Sequence, residues 1–516
     1  MIAFPDKERR LFGVSRVSMI NLTLKLCLVA IVMGFAFGCA TTSVFKAYPQ
    51  QVNPVIQSVK EGKQVDCNAT FTKKVRSQDR ILYLMERGRV AQIQGQTEAS
   101  TKDFKSAIDV INKNDQKAVV TASDGVAETA AVVVNDNAIP YEGYGYERVF
   151  VHHYQAWNYL ASGDVEGAGV ELRIAGAEQD SALKAHEKKV ESAMREAEAQ
   201  QIDVPLENPE LCESFSAMDR AAGRVKNSFQ NAYTFYVSGL VREIQKEEND
   251  AYIDYKSALE IFPENDYLQR DVVRLAIKLD MGDDLDRLKA LFPQTYKAVS
   301  EGGERFSGCE LVVFFEDAFV PQKKSIKIPL PIPCAKTIVA IAFPVYDSDK
   351  VANTTPLSVC DNQVPLGDTQ PICCVGSLAV MALKEEIPVL VARQIIRVTT
   401  KALASKELND QVQSLSFQSE NDYANSLDTL WNYCAAGISS IYNVTTENAD
   451  LRSWTTLPNA VQIMRTNIPS GTNHIEFVHN ASGTKAAVDI EAKPGEKVIV
   501  RVIRTGERIY CSSMSF

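Results

Sequence analysis

The chain has 516 residues, 45% hydrophobic and 23% charged, with a formal net charge of −10. This is a globular composition, which excludes a disordered or fibrous chain, and the length allows two or three ordinary domains. The acidic balance, with no long Lys/Arg cluster, excludes a nucleic-acid footprint.

The N-terminal stretch carries the first specific signal. "LCLVAIVMGFAF", residues 26–37, is apolar or small throughout and follows Lys25. It is shorter than the roughly 20 residues a membrane-spanning helix needs and has the length of a signal-peptide core. Ala36 and Gly38 stand at −3 and −1 relative to Cys39. The first 18 residues are charged and fit such a signal poorly, and Met19 gives a cleaner start.

Residues 45–300 are rich in Ala, Glu, Lys and Gln at helical periodicity, and residues 303–516 in Val, Ile, Thr, Pro and Cys in strand-like runs. "SEGGERFSG", residues 300–308, marks the expected boundary. The helical half holds three related segments. In the clearest, Gly239, Ala251, Tyr255, Ala258 and Pro263 are spaced as in a helical hairpin. Small residues let two helices approach, the aromatic fills the space beside them, and proline stops the second helix. Gly88, Ser100, Phe104 and Ala107 give a second copy, and Ala156, Tyr159, Gly163, Ala168, Leu172 and Ala175 a third. "SALKAHEKKVESAMREAEAQ" predicts a charged helix that lengthens the third hairpin, and residues 265–293 a closing helix pair.

In the second half, "CELVVFFEDAFVPQKKSIKIPLPIP" predicts two strands about a turn at Glu316-Asp317, and "KTIVAIAFPVY" a third strand. A helix follows, with Glu385, Glu386 and Pro388 in its first turn and Ile387, Val391, Ile395, Val398 and Ala402 on its apolar face. "SLDTLWNYCAAGISSIYN" predicts a second helix or buried segment. "AVQIMRT", "HIEFVHN", "AAVDIEA" and "KVIVRVIRT" read as strands of a small antiparallel sheet or sandwich.

Candidate site residues are few. No phosphate loop, serine nucleophile elbow or zinc-binding histidine pair occurs, so no cofactor, metal or catalytic residue is assigned. Adjacent His152 and His153 would point about 100° apart on a helix, which suits packing better than sharing a metal. Tyr141, Tyr144 and Tyr146 in "IPYEGYGY" form either an aromatic partner-binding patch or a loop pinned to the helices. Arg393, Arg397 and Lys401 make one basic helix stripe, open to an anionic partner or lipid headgroups, or simply a solvated face. In "ADLRSW", Asp450 and Arg452 read as an ion pair packed by Trp454. Of eleven cysteines, Cys27 lies in the signal, and lipidation of Cys39 would leave nine thiols. Cys360 with Cys373 or Cys374 is a candidate disulfide in an oxidising compartment, against the alternative of free buried thiols.

Ala36, Gly38 and Cys39 resemble the lipobox of a bacterial lipoprotein signal, with Ala36 where Leu is usual. The resemblance implies that Cys39 is lipidated, that the signal spans residues 1–38, and that Ala40 directs the protein to the outer membrane. The three helical segments resemble tetratricopeptide repeats. With "VNDNAIPYEGYGYERVFVHHYQAWNYLASGD" and "ADLRSWTTLPNAVQIMRTNIPSG" they resemble a largely uncharacterised Gram-negative lipoprotein family with tetratricopeptide-like repeats. The expectation is therefore a multidomain chain. An all-α tetratricopeptide-like half (39–300) precedes an α+β half (301–516) that ends in an antiparallel β-sheet module. The implied role is a lipid-anchored, periplasm-facing scaffold that binds other envelope proteins in envelope or peptidoglycan assembly. The alternative is an envelope hydrolase with its site in the C-terminal half.

Overall fold

The computed structural model describes residues 46–67, 69–123, 136–199, 204, 206–302, 308–332, 337–351, 355–416 and 448–516. The expected signal, Cys39, and the segment "SLDTLWNYCAAGISSIYN" lie outside them. Helix α1 (Tyr48–Lys60) leads into two helical hairpins, α2 (Arg80–Ile93) with α3 (Thr97–Ser123) and α4 (Gly145–Ala161) with α5 (Val165–Ala199). Short helices α6 (Pro209–Ser216) and α7 (Asp219–Ala222) follow. The hairpin α8 (Ala232–Ile244) and α9 (Glu248–Ile261) comes next, then α10 (Asp266–Lys278), α11 (Gly282–Leu291) and α12 (Pro293–Glu301). Asn208, Asn231 and Asn265 cap α6, α8 and α10 by accepting backbone N–H groups of the first turn.

The three expected hairpins form, each with its small and bulky positions at the helix contact. A Cβ added at Gly239 would lie 2.7 Å from the Tyr255 ring, and one at Gly88 3.0 Å from the Phe104 ring. Ala156, Ala168, Leu172, Ala175, Ala251 and Ala258 are buried. Ser100, at a position expected to be small and apolar, is also buried and accepts a hydrogen bond from the Asn158 side chain at 2.9 Å.

The second half contains β1 (Cys309–Phe319), β2 (Lys324–Ile332), β3 (Thr337–Val345), β4 (Leu357–Asp361), β5 (Val364–Asp368) and β6 (Gln370–Cys373). Helix α13 (Val375–Ser416) then precedes β7 (Pro458–Ile468), β8 (Gly471–His479), β9 (Lys485–Ala492), β10 (Lys497–Thr505) and β11 (Arg508–Ser515). One sheet has the order β11-β10-β1-β7-β6, a second β5-β4-β8-β9, and β2 pairs with β3 as a separate hairpin. Pairing is antiparallel except between β1 and β10, which run parallel.

The period-two alternation of β1 explains the layering. Cys309, Leu311, Val313 and Phe315 pack with Leu357, Val359, Ile475 and Phe477, which closes a sandwich core between the two sheets. Val312 and Phe314 point the other way into a cluster that includes Trp157, Tyr233 and Tyr236, with ring centroids 5.2–5.9 Å from Phe314. The architecture is thus a helical layer on a five-stranded sheet backed by a four-stranded sheet. One core runs from Tyr48 through Phe314 to Ile499. That core takes side chains from both halves, so the helical and strand-rich halves are not separately packed.

Three local expectations need correction. Glu316 and Asp317 do not turn the chain: they pair with Val461 and Ala460 inside β1, and Glu316 is buried among arginines. Helix α13 starts at Val375, ten residues before the expected first turn, and carries Pro388 in its interior. Its early residues Leu378, Ala379, Val380 and Leu383 are buried apolar side chains, whose packing outweighs the hydrogen bond that proline removes. The strands β4, β5, β6 and β11 were not anticipated.

Candidate functional site

Residues 448–457 form an irregular strap, with a turn at Thr455-Thr456, that lies against the helical layer before entering β7. Trp454 is fully buried, with its ring 5.9 Å from both Phe104 of α3 and Tyr154 of α4. The strap backbone is held by two buried carboxylates. Glu147, in the first turn of α4, accepts the Trp454 N–H at 2.7 Å and the Tyr144 N–H at 3.1 Å, and also takes the hydroxyls of Tyr141 and Tyr146. Glu86 of α2 accepts the N–H groups of Thr455 at 2.7 Å and Thr456 at 3.1 Å, and the Tyr48 hydroxyl at 2.7 Å. Burial pushes both carboxyls above the usual range, and these hydrogen bonds pull against that shift.

The "ADLRSW" motif supplies the other half of the attachment. Arg452 is bound by Asp450 at 2.7 Å and Asp79 at 2.5 Å, and donates to the carbonyls of Asp136 and Ile139. The Asp–Arg pair expected from the sequence therefore forms, with a second carboxylate, Asp79, from the N-terminal half. Lys323, between β1 and β2, donates to the Tyr144 hydroxyl at 2.6 Å and the Arg452 carbonyl at 2.9 Å. Its ammonium also lies 4.3 Å from the Tyr144 ring centroid. Burial lowers the Lys323 pKa to about 8 against the opposing pull of Asp450 and Glu147. The Tyr346 hydroxyl faces those of Tyr146 and Ser453 in the same cluster.

Two further charged clusters fasten the helices to the five-stranded sheet. Glu316 of β1 meets Arg89 of α2, Arg501 of β10 at 2.7 Å and the Tyr233 hydroxyl of α8 at 3.0 Å. Burial alone would raise its pKa, but the two guanidinium groups outweigh that and hold it at about 2. Arg465 of β7 binds Glu243 of α8 at 2.8 Å, Asp271 of α10 at 3.2 Å and Glu310 of β1 at 2.7 Å. His153 accepts the Trp157 indole N–H at 3.0 Å and has its pKa pushed down to about 3 by burial, which keeps the ring neutral. His152 contacts Glu171 at 2.6 Å. Among the described residues no group of three His, Cys, Asp or Glu side chains is arranged to hold a metal ion.

Two sequence motifs predicted separately, "IPYEGYGY" and "ADLRSW", thus meet in one place. Tyr141 and Tyr146 are buried there and Tyr144 is half-buried under Lys323, so the trio is pinned to its own chain and is not an open patch. Arg397 is only 1% exposed and is paired with Asp136, Arg393 is half-buried, and of Lys401 the helical backbone alone is described. Cys360, Cys373 and Cys374 carry free thiols. The loop that a disulfide would have closed is closed by the β4–β5 hairpin, where Cys360 lies opposite Pro365, while Cys373 belongs to the other sheet opposite Val461. Glu86, Glu147, Glu316, Lys323 and Arg465 were missed. For Glu86, Glu316 and Arg465 the signal was a charge inside an otherwise apolar run, in "YLMERG", "VVFFED" and "VQIMRT", whereas Glu147 in "GYGYERV" and Lys323 in "PQKKS" carry no such signal.

A small depression of about 40 Å³ lies between α5 and α8, lined by Gly169, Arg173, Ser238, Arg242, Gln245 and Glu247. No helix among the described residues is long and apolar enough to cross a membrane. No protein-family model matches the chain, and no curated protein is significantly similar to it.

Proposed function

We propose that this protein is a lipid-anchored scaffold of the cell envelope, attached at the periplasmic face of the outer membrane through Cys39 and working by holding other envelope proteins. The observation that carries the reading is the use of the buried charges. Glu86, Glu147, Glu316, Arg452 and Arg465 engage amides, hydroxyls and opposite charges from distant parts of the chain, which locks helices, strap and sheet into one frame. Such a frame suits presentation of surfaces better than chemistry at an open cleft. The small-residue and aromatic spacing of the three hairpins supports a tetratricopeptide-like reading of the helices, an architecture whose usual work is binding polypeptides. The sequence resemblance adds envelope or peptidoglycan assembly as the process served.

The hydrolase alternative draws on one observation. Lys323 has a lowered pKa and lies beside the strap segment that carries the Ser453 hydroxyl. Ser453 is fully buried, which favours the scaffold. The test has two arms. Cys39→Ser should abolish acyl labelling and release the protein from membranes, and unchanged labelling would sink the anchor. Crosslinking in intact envelopes should recover a reproducible set of envelope proteins. Recovery of none, together with a hydrolytic activity of the purified protein lost in Ser453→Ala, would replace the scaffold by the enzyme.

A further inference from the structure

We infer that the outer face of α5 is a self-association surface, on which a second copy of this chain packs its own α5 antiparallel about a two-fold axis. The inner face of the hairpin layer is not open to a partner, because Trp454 and the strap fill it. On α5 the residues Ala168, Leu172, Ala175 and Gln179 face inward and are buried. The opposite side carries Val170 and Ile174, which are 46% and 40% exposed. They are one helical turn apart and so lie together on the surface. Single exposed apolar residues are ordinary, but a contiguous pair flanked by small residues is a contact stripe.

The stripe reads the same in both directions. Gly167, Val170, Ile174 and Ala177 are spaced by three, four and three residues. An axis at Leu172 therefore sets Val170 against the copy's Ile174 and Gly167 against the copy's Ala177. Bulky β-branched residues meet at the centre, and small residues at both ends allow close approach. This self-complementarity is what a two-fold interface requires, since the same patch must serve both partners. Charge agrees with the register. Glu166 falls opposite the copy's Glu178, which is already paired with Arg148 of its own chain, and lies five residues from the copy's Arg173. That is about 7.5 Å along the axis, within joint reach of the two side chains. Arg173 is exposed and Glu166 is exposed. The adjoining depression between α5 and α8 adds polar lining at the rim. A stripe of two to three turns is small beside the roughly 800 Å² per partner of a standard interface, so the dimer is weak and concentration-dependent.

The proposal stands apart from the scaffold reading and is tested on the purified full chain in detergent, by sedimentation velocity over a range of concentrations. Association should rise with concentration toward a dimer. Val170→Glu and Ile174→Glu should each weaken it at least tenfold without lowering the melting temperature. Ile253→Glu, at a 58% exposed site on α9, should leave it unchanged. Arg173→Glu should weaken association, and the double variant Glu166→Arg/Arg173→Glu should restore it. A monomer at every concentration, or association that survives Val170→Glu and Ile174→Glu, would overturn the surface. A different polypeptide bound at this face in place of a second copy would also overturn it. Failure of the double variant to recover would overturn the antiparallel register.

Discussion

The carboxylate of Glu86 accepts the backbone N–H of Thr455 at 2.7 Å across 369 residues of sequence. Neither Glu86 nor Glu147 is in an ion pair among the described residues, and both instead receive main-chain and hydroxyl donors. A buried carboxylate without a counter-charge is costly unless its lone pairs are filled by donors, and the strap supplies them. Together the two glutamates hold three consecutive amides, those of Trp454, Thr455 and Thr456. The strap is thereby fixed along its length, and Trp454 is delivered between Phe104 and Tyr154.

Glu86→Gln should destabilise the protein by about 1–3 kcal/mol, because one carboxylate oxygen becomes an NH₂ group facing donors. Glu86→Ala should cost more, since it leaves the strap amides and the Tyr48 hydroxyl without an acceptor. Urea unfolding monitored by tryptophan fluorescence would report both. A Glu86→Gln midpoint equal to wild type would refute the clamp.

The acid limb of stability should separate two kinds of glutamate. Glu316 and Glu310 are held at about 2 in the folded state, so their contribution is present above the ordinary glutamate pKa and is lost as pH falls from about 4.5 toward 2. Glu86 and Glu147 are raised, so their contribution has the opposite sign and is lost as pH rises through their folded pKa. Glu316→Gln should flatten the loss of stability between pH 4.5 and 2, and Glu86→Gln should steepen the loss on acidification. Arg501→Met, which leaves Glu316 with Arg89 alone, should cost about 3–5 kcal/mol at neutral pH. Parallel acid curves for the two glutamine variants would contradict this account.

The hairpins were legible because their determinants are local. Gly88 and Phe104, or Gly239 and Tyr255, lie sixteen residues apart and meet through one turn of chain. The C-terminal strands were legible from apolar runs punctuated by glycine turns. The strap was not, since its partners are more than 300 residues away and its own sequence reads as coil. Glu316-Asp317 read as a turn because a charged pair ends an apolar run. The strand continues there because Arg89 and Arg501 arrive from elsewhere in the chain. Strands β4 and β5 are short and carry polar residues at an exposed hairpin, where Asn362 and Gln363 take positive φ. Neither alternation nor a glycine marked them.

Gly239→Ala tests the closest helix contact. The added methyl would stand 2.7 Å from Tyr255, whose hydroxyl is held at 2.7 Å by Glu243 and at 3.0 Å by Arg465, so the ring cannot retreat freely. Overpacking of this kind costs about 1–3 kcal/mol, partly offset by the ~1 kcal/mol that alanine gains over glycine within a helix. At Gly88 the nearest ring atom of Phe104 is 3.0 Å away, so Gly88→Ala should come out closer to neutral. Thermal unfolding of the two variants should rank Gly239→Ala as the less stable. The reverse order would mean that α8 and α9 do not meet at Tyr255.

Lys323 gives the sharpest alkaline signature. It has no ion-pair partner among the described residues, and its folded pKa is lowered from 10.5 to about 8 by burial. Asp450 and Glu147 face it from the strap and α4, and Glu386 from α13, all opposing that shift. Between pH 8 and 10.5 the unfolded chain binds a proton at this position that the folded chain does not. Stability must therefore rise with pH across that window, and the contribution present above 10.5 is lost as pH falls through 8. The full difference is about 3 kcal/mol. Above pH 10 buried tyrosines such as Tyr146, whose pKa burial raises, begin to act in the opposite sense as unfolded tyrosine ionises, so the readable range is pH 8 to 10. Urea unfolding at pH 8, 9 and 10 should show the wild-type protein gaining stability across this range. Lys323→Met should lose that slope while keeping a single cooperative transition. Equal slopes in the two proteins would place the Lys323 ammonium in solvent, not under Tyr144.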